Sequence, residues 1–339
     1  MDPSGFLSNP SARFGCRQMA FYSNQTPSIN EQAARSWMLQ QDPNALIAQA
    51  APGHWPSQTL GRPSTLEDLA GLNQKGSKDA FGLVATGPNT PPHQAFRFPG
   101  SASANPGVFA QGVATMQQSG SQVLMAHALA AVKRKPDSPP SSVLEAPPFQ
   151  AGGATLMLNG KFSGIWNPIF EQEIAQQYPT GAGPKGRTGA ERFLYLYQGR
   201  LTQMAQQQGI APEQVSARSR AQVFARLLHQ VNTLSTPDYN AVAPNALGLS
   251  GRIQTGPDPS LILTDHGVQL AYRGARGLFL GKQLVDSTHY QYILCSELPQ
   301  HSPPTTQWAE IPVGHMVAIA PDANGMIKPM IEPMSALLA

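Results

Sequence analysis

The chain has 339 residues, a formal net charge of +3 and only 13% charged residues. With basic residues scattered at that density, nothing marks a nucleic-acid binder built on a basic stripe. No apolar run reaches the length of a membrane-spanning helix. The 41% apolar fraction is enough for a core, so the sequence predicts an α+β protein whose surface is polar through Ser, Gln, Asn and Thr rather than ionic.

Residues 1–27 read as an extended, flexible leader. They lack a basic stretch followed by an apolar stretch, so export by a cleaved secretory signal is not expected. Residues 28–150 read as a region of short helices. Ser28-Ile-Asn-Glu31 and Ser64-Thr-Leu-Glu67 are capping-box patterns, in which Ser accepts from the third backbone N–H and Glu reaches back. Residues 77–106 read as Gly/Pro-rich loop, and the chain from Val108 to Lys135 as helical. Residues 136–150 form a Pro/Ser-rich linker. Helices this short are unstable alone and must dock on something.

Residues 151–339 are predicted as an α+β domain. Asn159-Gly160 offers the positive φ of a tight hairpin turn. Asn167-Pro168 caps a helix running to about Gln177. Thr188-Gly-Ala-Glu191 caps a longer one, with Phe193, Leu194, Tyr197, Leu201, Met204 and Ala205 on one stripe and Gly209 as its stop. A second helix, opened by Pro212, buries Val215, Val223, Phe224, Leu227, Leu228 and Val231. Arg218, Arg220 and Arg226 are assigned to its polar side. A hairpin follows, Leu261–Thr264 with Val268–Arg273, turning at Asp265-His266-Gly267. Further strands are expected at His289–Ser296, Met316–Ala320 and Met326–Ile331.

The chemistry-bearing residues concentrate in that last quarter. Cys295 is a candidate thiol nucleophile, with His266, His289 or His315 as base and Asp322 or Asp265 to orient it, because a cysteine needs a neighbouring imidazole to become a thiolate. Cys16, the other cysteine, lies in the leader, and two free thiols are expected rather than a disulfide. The histidines show no metal-binding spacing.

Tyr272-Arg273-Gly274 resembles the Arg-bearing strand of the Arg-Ser-Glu class of ADP-ribosyltransferases. That resemblance implies NAD as cofactor, Arg273 on its phosphates, Ser287 and Thr288 bracing the pocket, and Glu310 or Glu297 stabilising the cationic centre as nicotinamide leaves. His289 stands where the third residue of the family's Ser-Thr-Ser motif would be serine. The polar N-terminus likewise resembles that of type III secreted effectors. The resulting expectation is a translocated, effector-like bacterial protein acting on a host target, with NAD-dependent transfer as its chemistry. It would reach the host cell by a non-Sec route, or else stay cytoplasmic. The alternative is a non-enzymatic, self-associating coat or assembly protein. Its partners would be a host protein or copies of itself.

Overall fold

Most of the apolar segments pair into two antiparallel sheets in the computed structural model of the protein. The structure describes residues 17–24, 31–39, 80–86, 94–118, 122–129, 146–160, 164–179, 181–185, 188–234, 259–274, 277–299, 301–322 and 324–339, with 46 and 162. Ser28, the Ser64 capping box, Cys16 with the rest of residues 1–16, and most of the Pro/Ser-rich linker lie outside the described residues.

In chain order the elements are β1 (Arg17–Ser23), α1 (Glu31–Met38), β2 (Ala80–Thr86), β3 (Gln94–Pro99), α2 (Pro106–Gln118) and β4 (Val123–Leu129). Then come β5 (Phe149–Ala151), β6 (Ala154–Asn159), α3 (Pro168–Gln177), α4 (Gly189–Gln208) and α5 (Ala217–Thr233). The remainder is β7 (Ser260–Asp265), β8 (Val268–Tyr272), β9 (Phe279–Leu284), β10 (Tyr290–Cys295), β11 (Thr306–Glu310), β12 (His315–Pro321), β13 (Ile327–Pro333) and α6 (Met334–Leu338). This is an α+β fold, as the sequence predicts. One sheet has the order β11-β9-β10-β1-β4-β2-β3, the other β13-β12-β8-β7-β6-β5.

The strand alternation sorts side chains into layers. On β1, Met19 and Phe21 pack with α1 and α2, through Trp37, Phe109 and Val113. Ala20 and Tyr22 point the other way, onto Met157, Ile262, Ala271, Val317 and Ile319 of the second sheet. The second sheet's outer face, through Leu156, Leu263, Leu270 and Tyr272, packs on α3, α4 and α5. The layers are therefore helices, sheet, sheet, helices. The aromatic ring of Trp37 stacks on Phe21 with centroids 6.1 Å apart, which fixes α1 on the first sheet. The Tyr22 hydroxyl donates to the Gly267 carbonyl, tying the end of β1 to the β7–β8 turn.

Several local expectations hold. Thr188 Oγ1 accepts from the Glu191 N–H at 3.2 Å, and Gly209 closes α4 in the left-handed region at φ 67°. Asn167 caps α3, with Pro168 at its first turn. The α5 helix begins later than Pro212 suggests, because Ser216 caps it by accepting from Ser219 N–H at 3.1 Å.

Other expectations are corrected. Arg17–Ser23, read as part of an extended leader, is the middle strand of the seven-stranded sheet. The 77–106 loop contains β2 and β3, and within the segment read as helical from Val108 to Lys135, Val123–Leu129 is the strand β4. The Asn159-Gly160 hairpin does not form: β6 ends at Asn159 and pairs with β5 and β7. Arg220, assigned to a polar face, is fully buried.

Gly82 on β2 illustrates how closely the layers meet. A Cβ there would overlap the Pro147 carbonyl oxygen, which is backbone and cannot swing aside. Gly82→Ala is expected to cost about 1–3 kcal/mol through forced backbone shifts. A denaturant midpoint equal to wild type would refute this.

Candidate active site

The sequence-nominated residues fall into separate places. Arg273 follows β8, and its guanidinium pairs with Glu310 (Nη2 to Oε1, 2.6 Å) and donates to the Ile311 carbonyl. It thereby closes a corner between β8, β11 and the loop before β12. Ser287 and Thr288 lie exposed in the β9–β10 turn. There the Asp286 carboxylate accepts from Thr288 N, Thr288 Oγ1 and His289 N at 2.8, 3.1 and 2.7 Å. Those backbone donors, Thr288 first, hold the Asp286 carboxyl below the ordinary aspartate value.

The Arg273 corner meets β9 at Phe279, since Glu310 pairs with Phe279 and Ile311 N–H donates to the Leu278 carbonyl. The Ser287-Thr288 turn follows the other end of β9. The six residues of that strand separate the two by roughly 16 Å, so Arg273, Ser287 and Glu310 do not converge on one pocket. Arg273→Ala is therefore expected to act on stability. It should cost about 1.5–3 kcal/mol, the range for a hydrogen bond to a charged group, in a chemical-denaturation midpoint.

Cys295 ends β10 with its side chain in the helix-facing core of the first sheet, beside Met19 and Phe279. It is fully buried, and burial first, then the Glu297 charge, pushes its thiol well above the ordinary cysteine value. His266 and His315 belong to the second sheet. His315 begins β12 and Asp322 follows its end, where the Asp322 carboxylate accepts from Asn324 N and Met326 N. No thiol–imidazole–carboxylate arrangement is assembled around Cys295. His289 instead meets the Ser23 hydroxyl at 3.0 Å. Among the described residues, no group of three His, Cys, Asp or Glu is placed to hold a metal.

His266 belongs to a different cluster, centred on Asp265 at the end of β7. Its ring Nδ1 meets Asp265 Oδ1 at 2.7 Å, and Gln198 Nε2 reaches the same oxygen at 3.4 Å. The other oxygen accepts from Tyr197 OH at 2.9 Å and from the Arg220 guanidinium. Arg220 also donates to the carbonyls of Val215 and Pro212. His266 and Gly267 have φ 46° and 76°, the paired positive values of a two-residue type I′ turn. Burial alone would raise the Asp265 carboxyl. The hydrogen bond from His266, the Arg220 and His266 charges and the Tyr197 hydroxyl together hold it below the ordinary value. The cluster binds α4, α5 and the β7–β8 turn together, with only His266 partly exposed.

Sequence reasoning passed over a third constellation. Gln18 faces His127 across the β1–β4 ladder, His127 faces Gly82 across β4–β2, and Gly82 faces Arg97 across β2–β3. Neighbours Met19, Ala126, Ala128, Phe96 and Phe98 all pack on the helix side. Alternation therefore turns Gln18, His127 and Arg97 toward the second sheet. Gln18 and His127 are 0% and 1% exposed, and burial drops the His127 imidazole pKa to about 3. Arg97 is likewise lowered, by desolvation, with Glu191 and Tyr195 close enough to oppose the shift. The Gln18 backbone is fixed at both groups by Ser296, which receives its N–H at Oγ and donates its own N–H to the Gln18 carbonyl, each at 3.0 Å. Cys16 immediately precedes β1 and stands two residues before Gln18. The signal available in the sequence is the phase of Gln18-Met-Ala-Phe-Tyr22, in which a polar residue shares a face with Ala20 and Tyr22.

No family model matches the sequence, and no curated protein matches it. Among solved structures, the chain is similar to a glutamine aminotransferase class-II domain protein from Silicibacter pomeroyi. The TM-score is 0.45 at 15% identity, over 94% of this chain and 99% of that one. It is also similar to glutamine phosphoribosylpyrophosphate amidotransferase from B. subtilis. There the TM-score is 0.49 at 10% identity, over 94% of this chain and 49% of that one. A predicted glutamine amidotransferase from Pseudomonas aeruginosa gives 0.41 at 12% identity, over 92% of this chain and 97% of that one. Likeness at these scores establishes no shared activity. These neighbours carry glutamine aminotransferase or amidotransferase descriptions. The effector-like NAD-transferase expectation is corrected on that finding, and so is its structural alternative. The separation of Arg273 from Ser287 removes the geometry the first would need. No helix among the described residues is long and apolar enough to cross a membrane.

Proposed function

We propose that the protein is a thiol-dependent, amide-cleaving enzyme whose nucleophile is Cys16. The observation carrying this reading is the sequence position of Cys16, one residue before the middle strand of the seven-stranded sheet. Of the two cysteines in the sequence, Cys295 is fully buried with a thiol harder to ionise than usual, which leaves Cys16 for the chemistry.

A thiol needs a base. His127 is too weak a base at neutral pH, because burial lowers it to about 3. An amino group on the nucleophilic residue itself can take the role. Hydrolysis of the Gly15–Cys16 peptide bond would supply it, leaving Cys16 as the first residue with a free α-amine. The amine accepts the thiol proton, and the thiolate attacks the amide carbonyl. The C–N bond breaks as the α-ammonium returns the proton to the leaving nitrogen, giving a thioester and an amine. Water then cleaves the thioester, releasing the carboxylic acid and restoring the thiol.

Glutamine is the first substrate to assay, because glutamine stands in the names of the similar solved structures. Intact-mass analysis of the purified protein should find a chain beginning at Cys16, and ammonia should be released from primary carboxamides. An active chain that retains residues 1–15 would overturn the reading. So would label from a carboxamide-mimicking electrophile settling on Cys295, or no ammonia release from any primary carboxamide.

A further inference from the structure

Helices α4 and α5 carry the arginines Arg192, Arg200, Arg218, Arg220 and Arg226. Arg192 pairs with Glu171, Arg200 with Glu173, Arg218 with Glu332 and Arg220 with Asp265. Arg226 is the exception: it is exposed and has no carboxylate partner among the described residues. It lines a groove of about 240 Å³ between the two helices. Helical periodicity builds that groove. Arg200, Gln203, Met204 and Gln207 recur at three and four residues along α4, and so share one face. Val223, Arg226 and Gln230 do the same along α5. Val223 is buried and Met204 half-buried, giving an apolar floor, while the glutamines and Arg226 are exposed at the rim.

The two cations of the groove are not equivalent. Arg200 gives Nε and Nη2 to the Glu173 carboxylate at 2.7 and 2.8 Å, and Nη1 to Gln230 Oε1 at 2.6 Å. Its charge is answered and its fork is occupied. Arg226 brings an uncompensated positive charge and a planar fork of N–H donors. The Gln203 and Gln207 carboxamides and the Gln230 amide N–H groups add neutral hydrogen-bonding capacity beside it.

We infer that this groove binds a small organic anion of one class: a carboxylate adjoining a secondary amide and an aliphatic group, as in an N-acylated amino acid or the C-terminal residue of a peptide. The carboxylate takes the Arg226 fork, whose planar geometry matches it. The amide exchanges hydrogen bonds with the glutamine rim, and the aliphatic group covers Met204 and Val223. A free amino acid fits less well, because its ammonium meets no acidic side chain among the described lining residues. A dianion such as inorganic phosphate meets a single uncompensated cation. The groove belongs to the helical layer on the second sheet, apart from β1, so the inference does not depend on the reading of Cys16.

The test is a ligand-observed NMR titration of the purified protein with N-acetyl-leucine, which should bind saturably. N-acetyl-leucinamide, which lacks the charge, and leucine, which adds an ammonium, should each bind about tenfold more weakly or worse. Arg226→Gln should lose about tenfold or more in affinity, and Arg226→Lys should keep part of it. Neither should shift the melting temperature, because the side chain is exposed and holds no carboxylate of the fold. Gln203→Glu, which puts a carboxylate into the groove, should weaken binding as far as Arg226→Gln does. Equal affinity for the acid and its amide overturns the inference. So does wild-type affinity in Arg226→Gln, or the absence of saturable binding by N-acetyl-leucine. Acetyl-glycyl-leucine separates the two sources of the same chemistry. Tighter binding than N-acetyl-leucine assigns the groove to a peptide C-terminus, and equal or weaker binding assigns it to a free acylated amino acid.

Discussion

Cys16→Ala is expected to abolish the proposed turnover, with kcat falling on the order of 10⁴-fold or more. That is the scale of removing a nucleophile that works as a unit with its base. The loss should appear in kcat, because the substitution removes the attacking thiol and adds no atoms that would block a substrate. Cys295→Ala serves as the control, since its thiol lies on the helix side of the first sheet and touches none of the proposed chemistry. Cys16→Ala turning over at the wild-type rate would sink the mechanism. Equal loss in both cysteine variants would point to a folding defect.

Arg220→Leu is expected to cost about 3–5 kcal/mol, the range for breaking a fully buried ion pair by removing one partner. The Asp265 carboxylate would remain buried with Tyr197, Gln198 and His266 as its partners among the described residues. The Val215 carbonyl would lose its guanidinium donor, and the Pro212 carbonyl would keep the Val215 N–H alone among the described residues. Burial opposes ionisation of Asp265, yet the surrounding donors and charges leave its folded-state value below the ordinary one. A depressed carboxyl contributes stability that is fully present above its unfolded pKa of about 3.9. That contribution is lost as pH falls through the lower folded value. In wild type it should therefore persist at pH 5 and decline only below about pH 4. In Arg220→Leu the decline should begin at higher pH, because the cation that favours the ionised form is gone. Urea midpoints taken from pH 7 down to pH 3 check both statements. Parallel curves for the two proteins would refute the electrostatic account.

The helical middle of the chain was legible because its signals are local. Thr188, Asn167 and Gly209 act within one turn of themselves, and the stripe from Phe193 to Ala205 needs no knowledge of its partner. The β7–β8 hairpin was legible for the same reason, through its two-residue turn. The strands β1 and β4 were not. Both are covered on both faces, so Arg17-Gln-Met-Ala-Phe-Tyr-Ser23 and Val123-Leu-Met-Ala-His-Ala-Leu129 show no alternation between wet and dry sides. Their alanines, methionines and leucines fit a helix equally well. The polar row was hidden more deeply. Gln18 and His127 become neighbours only when β1 pairs with β4, and become buried only when the second sheet closes over them. Arg220 misled because its helix carries polar residues on either side of it. The partner that draws it inward, Asp265, comes from a distant strand.

The seven-stranded sheet is joined from two halves. Strands β3, β2, β4 and β1 come from the first part of the chain, and β10, β9 and β11 from the last third, with the seam running between β1 and β10. During synthesis the first half can pair early, but the open side of β1 must wait for β10 to emerge. Until then it presents unpaired backbone groups, the kind of edge on which foreign strands add. Closing so long a loop is slow, as for other folds built on non-local pairing. The same late event brings Ser296 to the Gln18 backbone. The backbone at the start of β1 is thus locked only when the two halves of the chain meet.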